Sequence, residues 1–264
     1  VCSIMNPRSG AVSVTKTVDP VAAVGWSFDF TISPDPGIPG QSATQTATAG
    51  NPTVTWVGLD QADGPYTITE APADGYLAGE AIHCPALDDE DDFRAGGTAA
   101  AAEGVSRAVS VRAADLLECF VENTREASVT VTKSVQPAGA TGWDAAFTIE
   151  PLPTGETDAT KVATPDSPSV SWDGLVPGQQ YVISELTPAG WQPGVLTCSG
   201  ITGDGIPEYA ADDVPTVGFI PGGGDAVRCS ITNTSDPGSL SVTKVVNADV
   251  VGANWAFDVT VSPL

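Results

Sequence analysis

Three residue types with complementary chemistry occupy matching positions in two long segments of this sequence. Each set contains one lysine, one glutamate and one asparagine: Lys16, Glu70 and Asn123 in the first, and Lys133, Glu185 and Asn233 in the second. Their side chains supply a base, an acid and a carboxamide. All three are costly to bury unless they satisfy one another. The first question is therefore whether the chain turns them inward.

The two glutamates lie on segments with strand periodicity. Tyr66, Ile68 and Glu70 fall on one face of a strand, with threonines on the other face. The same parity applies around Glu185. A carboxylate in line with an aromatic ring and an isoleucine points toward the core, where it needs a nearby partner.

The lysines and asparagines follow the same logic at the two ends of each segment. The chain has only four lysines, and three of them occupy one repeated position: Lys16, Lys133 and Lys244. By alternation Lys16 shares a face with two core valines, and Asn123 shares a face with Cys119. Each segment thus offers one inward Lys at its start, one inward Glu in its middle and one inward Asn at its end.

Internal repetition defines the domain organisation. We predict two complete repeats, residues 9–126 (unit one) and 127–236 (unit two). Residues 1–8 match the last strand of a preceding repeat, and residues 237–264 match the first strands of a following, truncated repeat. We therefore expect the sequence to be a window from a longer array. The window leaves Cys2, Asn6 and Lys244 without their partners, so they should stay unreacted.

Composition indicates an all-β protein. The 264 residues carry a formal net charge of −23 with only 10 Lys and Arg, which argues against nucleic-acid binding and against a polybasic membrane contact. Gly and Pro are abundant, short alternating runs recur and helix-period segments are missing, which together predict tandem β-sandwiches placed end to end. No apolar stretch is long enough for a membrane span, so we expect no membrane insertion in this segment.

The cysteine spacing predicts one disulfide in each unit. Cys84 and Cys119 belong to unit one, and Cys198 and Cys229 to unit two. Such pairs indicate an oxidising, extracytoplasmic setting, with buried free thiols as the alternative.

With these residues in place, the chain resembles the Cna-B-type domains of Gram-positive pilins and surface adhesins, which are Ig-like or prealbumin-like sandwiches. Residues 66–76 and 181–191 look like the E-box of that family, and the V-T-K opening and Asn-Thr closing also match. The resemblance spans both units and both partial ends. It implies that Lys16 joins Asn123, and Lys133 joins Asn233, as intramolecular isopeptide bonds. Glu70 and Glu185 would assist, and no cofactor would be needed.

Burial supplies the physical reason for such a reaction. An apolar site lowers the pKa of a lysine and raises that of a glutamate, so the neutral amine can attack the asparagine carbonyl. The protonated glutamate would donate a hydrogen bond to that carbonyl and relay protons as ammonia leaves. The alternative is a buried Lys–Glu ion pair, hydrogen-bonded to Asn, without any covalent bond.

We therefore expect a structural role, as a stiff stalk or fibre module of an extracellular bacterial surface adhesin or pilus-like filament, and not a turnover enzyme. Its partners would be neighbouring repeats, with lateral filament contacts and a host or surface ligand as further candidates. Two alternatives stay open: an adhesin that binds a ligand through the variable loops between the cysteines, and accessory modules of a secreted enzyme. The loops in question include the run from Ala99 to Ala102.

Three other motifs resemble functional sites, and each also has a structural interpretation. The acidic run Asp88, Asp89, Glu90, Asp91 and Asp92 could hold calcium, although a solvated acidic loop explains it better. The segment from Leu152 to Gly155 resembles a sortase signal but lacks one residue, and we interpret it as a loop. His83 beside Cys84 suggests a thiol nucleophile, which a disulfide would abolish.

Overall fold

The protein is all-β in the part of the chain that the computed structural model describes, residues 9–60, 65–85, 95–101, 104–203, 214–238, 240–245 and 257–260. These residues contain no α-helix, and therefore no helix long and apolar enough to cross a membrane. The strands in unit one are β1 (Gly10–Asp19), β2 (Ser27–Ser33), β3 (Thr44–Thr48), β4 (Thr53–Leu59), β5 (Tyr66–Glu70), β6 (Tyr76–Leu77), β7 (Ala95–Ala101), β8 (Gly104–Val109) and β9 (Leu116–Arg125).

The strands in unit two follow after a single intervening residue, Glu126. They are β10 (Ala127–Gln136), β11 (Ala145–Glu150), β12 (Thr160–Ala163), β13 (Ser169–Leu175), β14 (Tyr181–Leu186), β15 (Trp191–Gln192), β16 (Thr197–Ser199), β17 (Thr216–Phe219) and β18 (Ala226–Ser235).

Each unit consists of two sheets with a core between them. In unit one the sheets have the strand orders β4-β1-β9-β6 and β3-β2-β5-β8-β7. In unit two they have the orders β13-β10-β18-β15, with β16 also paired to β18, and β12-β11-β14-β17. Each of these four sheets draws its strands from one unit only. The fold is therefore a β-sandwich in each unit, as the alternation predicts.

Strict alternation places the core residues. Along β2, and along β9 as far as Asn123, every second side chain is buried and the intervening ones are exposed. The largest fully buried side chains in unit one include Trp56 and Tyr66, and their counterparts in unit two are Trp172 and Tyr181. Their polar atoms are satisfied at the edge of the core: the Trp172 indole donates to the carbonyl of Asp158 at 3.1 Å.

The first and last strands of each unit pair in parallel. β1 runs beside β9 over nine residue pairs, from Ala11 opposite Leu116 to Asp19 opposite Thr124. β10 runs beside β18 in the same way. Parallel pairing puts the entry and the exit of each unit at opposite ends of one two-stranded ladder.

The segment between the cysteines is more regular than the sequence indicates. In unit one it contains β7 and β8, which add an antiparallel hairpin beside β5. The sequence predicts a variable loop from Ala99 to Ala102, and this is wrong up to Ala101. The backbone there forms strand β7, because its hydrogen-bonding groups pair with those of β8. In unit two the described residues of this segment place one strand, β17, beside β14.

A turn of unit two contacts the end of unit one. The backbone N–H of Gly224 donates to the carbonyl of Arg125 at 3.0 Å, and that of Ser128 donates to the carbonyl of Asp225 at 2.9 Å. The turn lies directly before β18. The bond from Gly224 joins the two units beside the single linking residue Glu126, whereas the bond from Ser128 lies within unit two.

Candidate functional site

The lysine and the asparagine of each unit are brought together by the parallel ladder. Asn123 pairs with the residue two positions beyond Lys16, so the two side chains emerge on the same face of neighbouring strands. Both point into the sandwich and are buried. Lys133 and Asn233 have the same relative register in unit two. Residues far apart in sequence therefore become diagonal neighbours within one sheet.

The glutamate reaches the same place from the opposite sheet. Glu70 is the last residue of β5, and its Oε1 lies 3.1 Å from Nζ of Lys16. In unit two Oε1 of Glu185 lies 3.5 Å from Nζ of Lys133. The four side chains are at most 1% exposed. The site is thus assembled across the core, with the base and the carboxamide from one sheet and the acid from the other.

The carboxamide of Asn233 is held at both of its polar ends. Its Nδ2 donates to Oε2 of Glu185 at 2.9 Å, and its Oδ1 accepts from the backbone N–H of Gly194 at 3.0 Å. Because a backbone N–H can only donate, it determines which end of the amide is oxygen. In unit one the N–H of Gly79 donates to Oδ1 of Asn123 at 3.0 Å.

This orientation corrects one expected role of the glutamate. The resemblance and the burial argument predict that the carboxyl group donates a hydrogen bond to the asparagine carbonyl. In unit two that oxygen faces Gly194 instead, and Glu185 contacts the nitrogen. The reason is that the fixed N–H already occupies the carbonyl side. The acid is therefore next to the atom that would leave as ammonia.

Burial shifts the protonation of the two lysines and of Glu70 toward the neutral forms. Loss of hydration lowers the pKa of Lys16 and of Lys133, an effect that the nearby glutamates oppose. Loss of hydration also raises the pKa of Glu70, opposed by the charge of Lys16. A neutral amine beside a protonated carboxyl group is the combination needed for nucleophilic attack with proton relay.

The polar atoms of the first set are poorly satisfied. Within the described residues, Lys16 Nζ and both carboxylate oxygens of Glu70 make no well-aligned hydrogen bond, although Nζ and Oε1 are close. Oε1 of Glu185 is in the same condition. Buried polar groups without hydrogen bonds reduce the stability of the fold.

Sequence reasoning missed three residues that contact these groups. Gly79 and Gly194 supply the N–H donors, and the ring of Phe28 lies with its centroid 4.3 Å from Nζ of Lys16. A signal for the glycines was present: each follows a Gly-aromatic pair by three residues, at Tyr76 and at Trp191. Only the fold shows that these glycines approach the asparagines.

The predicted disulfides are present. Cys84 is bonded to Cys119 with an S–S distance of 2.01 Å, and Cys198 to Cys229 with 1.93 Å. The bond removes the thiol that His83 would have activated. His83 instead pairs through its backbone with Phe120 on β9.

The remaining predicted positions lie outside this arrangement. Lys244 is exposed, with its Nζ 4.3 Å from the ring centroid of Phe257. The segment from Leu152 to Gly155 is a turn, in which the N–H of Thr154 donates to the carbonyl of Gly174 at 3.0 Å. The following candidates fall outside the described residues: Cys2, Asn6, Asp88, Asp89, Glu90, Asp91 and Asp92.

Comparisons with known proteins give structural likeness only. No family model matches the chain, and no curated protein matches it. Among solved structures it is similar to the Bacillus anthracis TIE protein, at 15% identity and a TM-score of 0.30, over 86% of this chain and 34% of that one. It is also similar to the major pilin protein T-13 from Streptococcus pyogenes, at 15% identity and a TM-score of 0.30, over 86% of this chain and 97% of that one.

A third similar structure comprises two B repeat units of the collagen binding protein Cna of Staphylococcus aureus. The identity is 15% and the TM-score 0.26, over 89% of this chain and 51% of that one. TM-scores of this size carry no functional information, so what the chain does must be inferred from its own geometry.

Proposed function

We propose that each unit cross-links itself through an isopeptide bond, Lys16 to Asn123 in unit one and Lys133 to Asn233 in unit two. The observation that carries this proposal is the position of Glu185. One of its oxygens lies 3.5 Å from the lysine amine, and the other accepts a 2.9 Å hydrogen bond from the asparagine nitrogen. A single acid thus bridges the nucleophile and the leaving group.

The reaction needs no external enzyme or cofactor. The neutral amine attacks Cγ of the asparagine, and the glutamate carries a proton from the amine to the departing nitrogen. The fold holds the reacting groups together, which replaces a bimolecular encounter by an intramolecular step. A plain buried ion pair is the competing interpretation.

The cross-link would give each unit a short path for mechanical load. Tension enters unit one at the start of β1 and leaves at the end of β9, so it shears two parallel strands. With Lys16 bonded to Asn123, tension passes between the strands at that point and bypasses the chain between these residues. The Cys84–Cys119 disulfide lies within the bypassed part, where it opposes thermal and proteolytic opening instead.

These properties fit a stalk or fibre module of a bacterial cell-surface protein. The disulfides favour an oxidising, extracytoplasmic location. The contact of Gly224 with Arg125 favours neighbouring repeats as partners in a stiff end-to-end array. The proposed role is structural, with each cross-link formed once and never turned over.

Intact mass spectrometry after reduction of the disulfides tests the proposal. Each isopeptide bond removes one ammonia, so the native chain should be lighter than its calculated mass by two. Glu70→Ala should restore one ammonia, and Glu185→Ala, the matched variant in unit two, should restore the other. A native chain with no deficit would leave the ion pair as the correct interpretation.

A further inference from the structure

We propose that the backbone N–H groups of Gly79 and Gly194 act catalytically, by stabilising the negative charge that develops on the asparagine carbonyl oxygen during cross-linking. This inference rests on the isopeptide function proposed above. It adds a second component to the site, on the side of the carboxamide opposite to the glutamate.

The hydrogen-bond geometry is the first support. Both N–H groups donate to Oδ1 of the reacting asparagine with an N···O distance of 3.0 Å. Oxyanion-stabilising donors in enzymes lie at about 2.7–3.1 Å from the oxygen that becomes charged. Asn123 and Asn233 are buried, and the bond from Gly79 is fully buried whereas that from Gly194 is partly buried, so both are shielded from water to a large extent. The same donor occurs independently in both units.

The requirement for glycine is the second support. Neither residue has a positive φ, so backbone conformation does not demand glycine at either position. Space does: a Cβ at Gly79 would lie 2.6 Å from the carbonyl oxygen of Glu122, and one at Gly194 would lie 2.0 Å from that of Thr232. Glycine therefore lets this segment approach the last strand closely enough for its N–H to reach the asparagine.

The step balances without any other reactant. The unprotonated Nζ of lysine forms a bond to Cγ of asparagine, and the π electrons of the carbonyl move to Oδ1, where the glycine N–H stabilises them. The glutamate takes one proton from Nζ and delivers one to Nδ2. The carbonyl then re-forms, the Cγ–Nδ2 bond breaks and ammonia leaves, giving an amide between the two side chains.

The test replaces one N–H without adding a side chain. In the full-length chain, the amide between residues 78 and 79 is exchanged for an ester by semisynthesis, so oxygen stands where the Gly79 N–H was. Folding is started by dilution from denaturant, and intact mass after reduction is followed with time. Unit two, left unchanged in the same molecule, is the internal control.

We expect the ester chain to lose the unit-two ammonia at the native rate and the unit-one ammonia about 100-fold more slowly, the typical cost of removing one oxyanion donor. Hydrogen exchange of the unit-one strands is measured on the same chains, and only chains with native protection are compared, which leaves out misfolded chains. The reciprocal ester at Gly194 should reverse the pattern. Gly79→Ala, which keeps the N–H but displaces it, should also slow unit one.

The outcomes separate the two proposals. If both ammonia molecules leave the ester chains at native rates, the role of the glycines is overturned while the isopeptide function stands. If the unmodified chain loses no ammonia, the isopeptide function itself fails.

Discussion

The two units hold the same three residue types in different surroundings. In unit one the Lys16 amine lies against the ring of Phe28 and makes no well-aligned hydrogen bond within the described residues. In unit two the position matching Phe28 is Ala145. There the amine of Lys133 donates to the carbonyl of Ser134 at 2.8 Å. The aromatic neighbour is thus particular to one unit.

The features shared by both units show what the site requires. Both have the parallel pairing of the first strand with the last, and both have the glutamate at the same register in the facing sheet, opposite Phe30 in unit one and Phe147 in unit two. Both also have the glycine N–H on the asparagine oxygen. Strand register, and not the packing around the amine, therefore places the reacting groups.

The turn before the last strand provides a second comparison. Ala114 and Gly224 occupy the same place in matching turns, with φ values of 67° and 70°. In each turn an aspartate carboxylate accepts from a backbone N–H, from Arg112 at 2.9 Å in unit one and from Gly222 at 2.7 Å in unit two. Unit one thus carries a strained alanine where unit two has a glycine.

The largest expected effect comes from removing one member of the buried set. Lys16→Met prevents the proposed cross-link and leaves the Glu70 carboxyl group buried without its partner, so it should lower the stability of unit one by about 3–5 kcal/mol. Adding Glu70→Leu should recover part of this loss. In unit two, adding Glu185→Leu to Lys133→Met should likewise recover part of the loss, less the cost of removing the acceptor of the Asn233 amide.

Hydrogen exchange, resolved by unit during urea unfolding, measures these losses. The unit that carries no substitution serves as the control in each chain. No recovery in either double variant would contradict the cost that we assign to the buried carboxyl group left without its lysine.

Removal of a disulfide should give the next largest loss of stability. Replacing both cysteines of a unit by serine should cost about 2–4 kcal/mol in that unit. We expect the larger loss in unit one, because Cys84 is fully buried whereas Cys198 is only partly buried, so the new hydroxyl of unit one is harder to hydrate. Thermal unfolding of the two double-serine variants compares them, and a larger loss in unit two would oppose this ranking.

Exchanging the two turn residues should give smaller effects of opposite sign. Ala114→Gly relieves a left-handed conformation and should stabilise unit one by up to about 1 kcal/mol. Gly224→Ala introduces the same strain in unit two and also places a Cβ 3.2 Å from the Arg125 side chain. Urea midpoints measure both changes. Ala113→Gly, next to Ala114 but without its positive φ, is the control and should not stabilise.

The smallest effect concerns pH at the junction. Burial raises the pKa of Glu126, and the charges of Asp173 and Asp74 raise it further. A group with a raised folded-state pKa stabilises the fold when protonated, and that contribution is lost as pH rises through the folded-state value. The contact between the units should therefore become more stable as pH falls from neutral through the raised pKa of Glu126.

Glu126→Gln should abolish this pH dependence, and Glu118→Gln, at an exposed position on β9, should preserve it. Hydrogen exchange of two backbone amides measures how often the junction between the units opens. The Gly224 amide donates to Arg125 across the junction, and the Ser128 amide donates to Asp225 at the start of β10. An unchanged pH profile in Glu126→Gln would exclude this glutamate as the cause.

The sequence by itself determined that one lysine, one glutamate and one asparagine of each unit are buried. Alternation turned Lys16, Glu70 and Asn123 inward because side chains in a strand point to opposite faces in turn, and the fold places all three in the core. Cysteine spacing likewise predicted both disulfides. Both features follow from information within one repeat: the alternation of side chains along a strand, and the presence of two cysteines in each repeat.

Tertiary structure decided which buried residues meet and how they are oriented. Strand order and parallel register bring Lys16 beside Asn123, and pairing with β8 converts the expected loop near Ala99 into a strand. The close approach of Gly79 to β9 turns the carbonyl of Asn123 toward a backbone N–H. Such contacts join segments far apart in the chain, and periodicity within one segment contains no information about which other segment will lie against it.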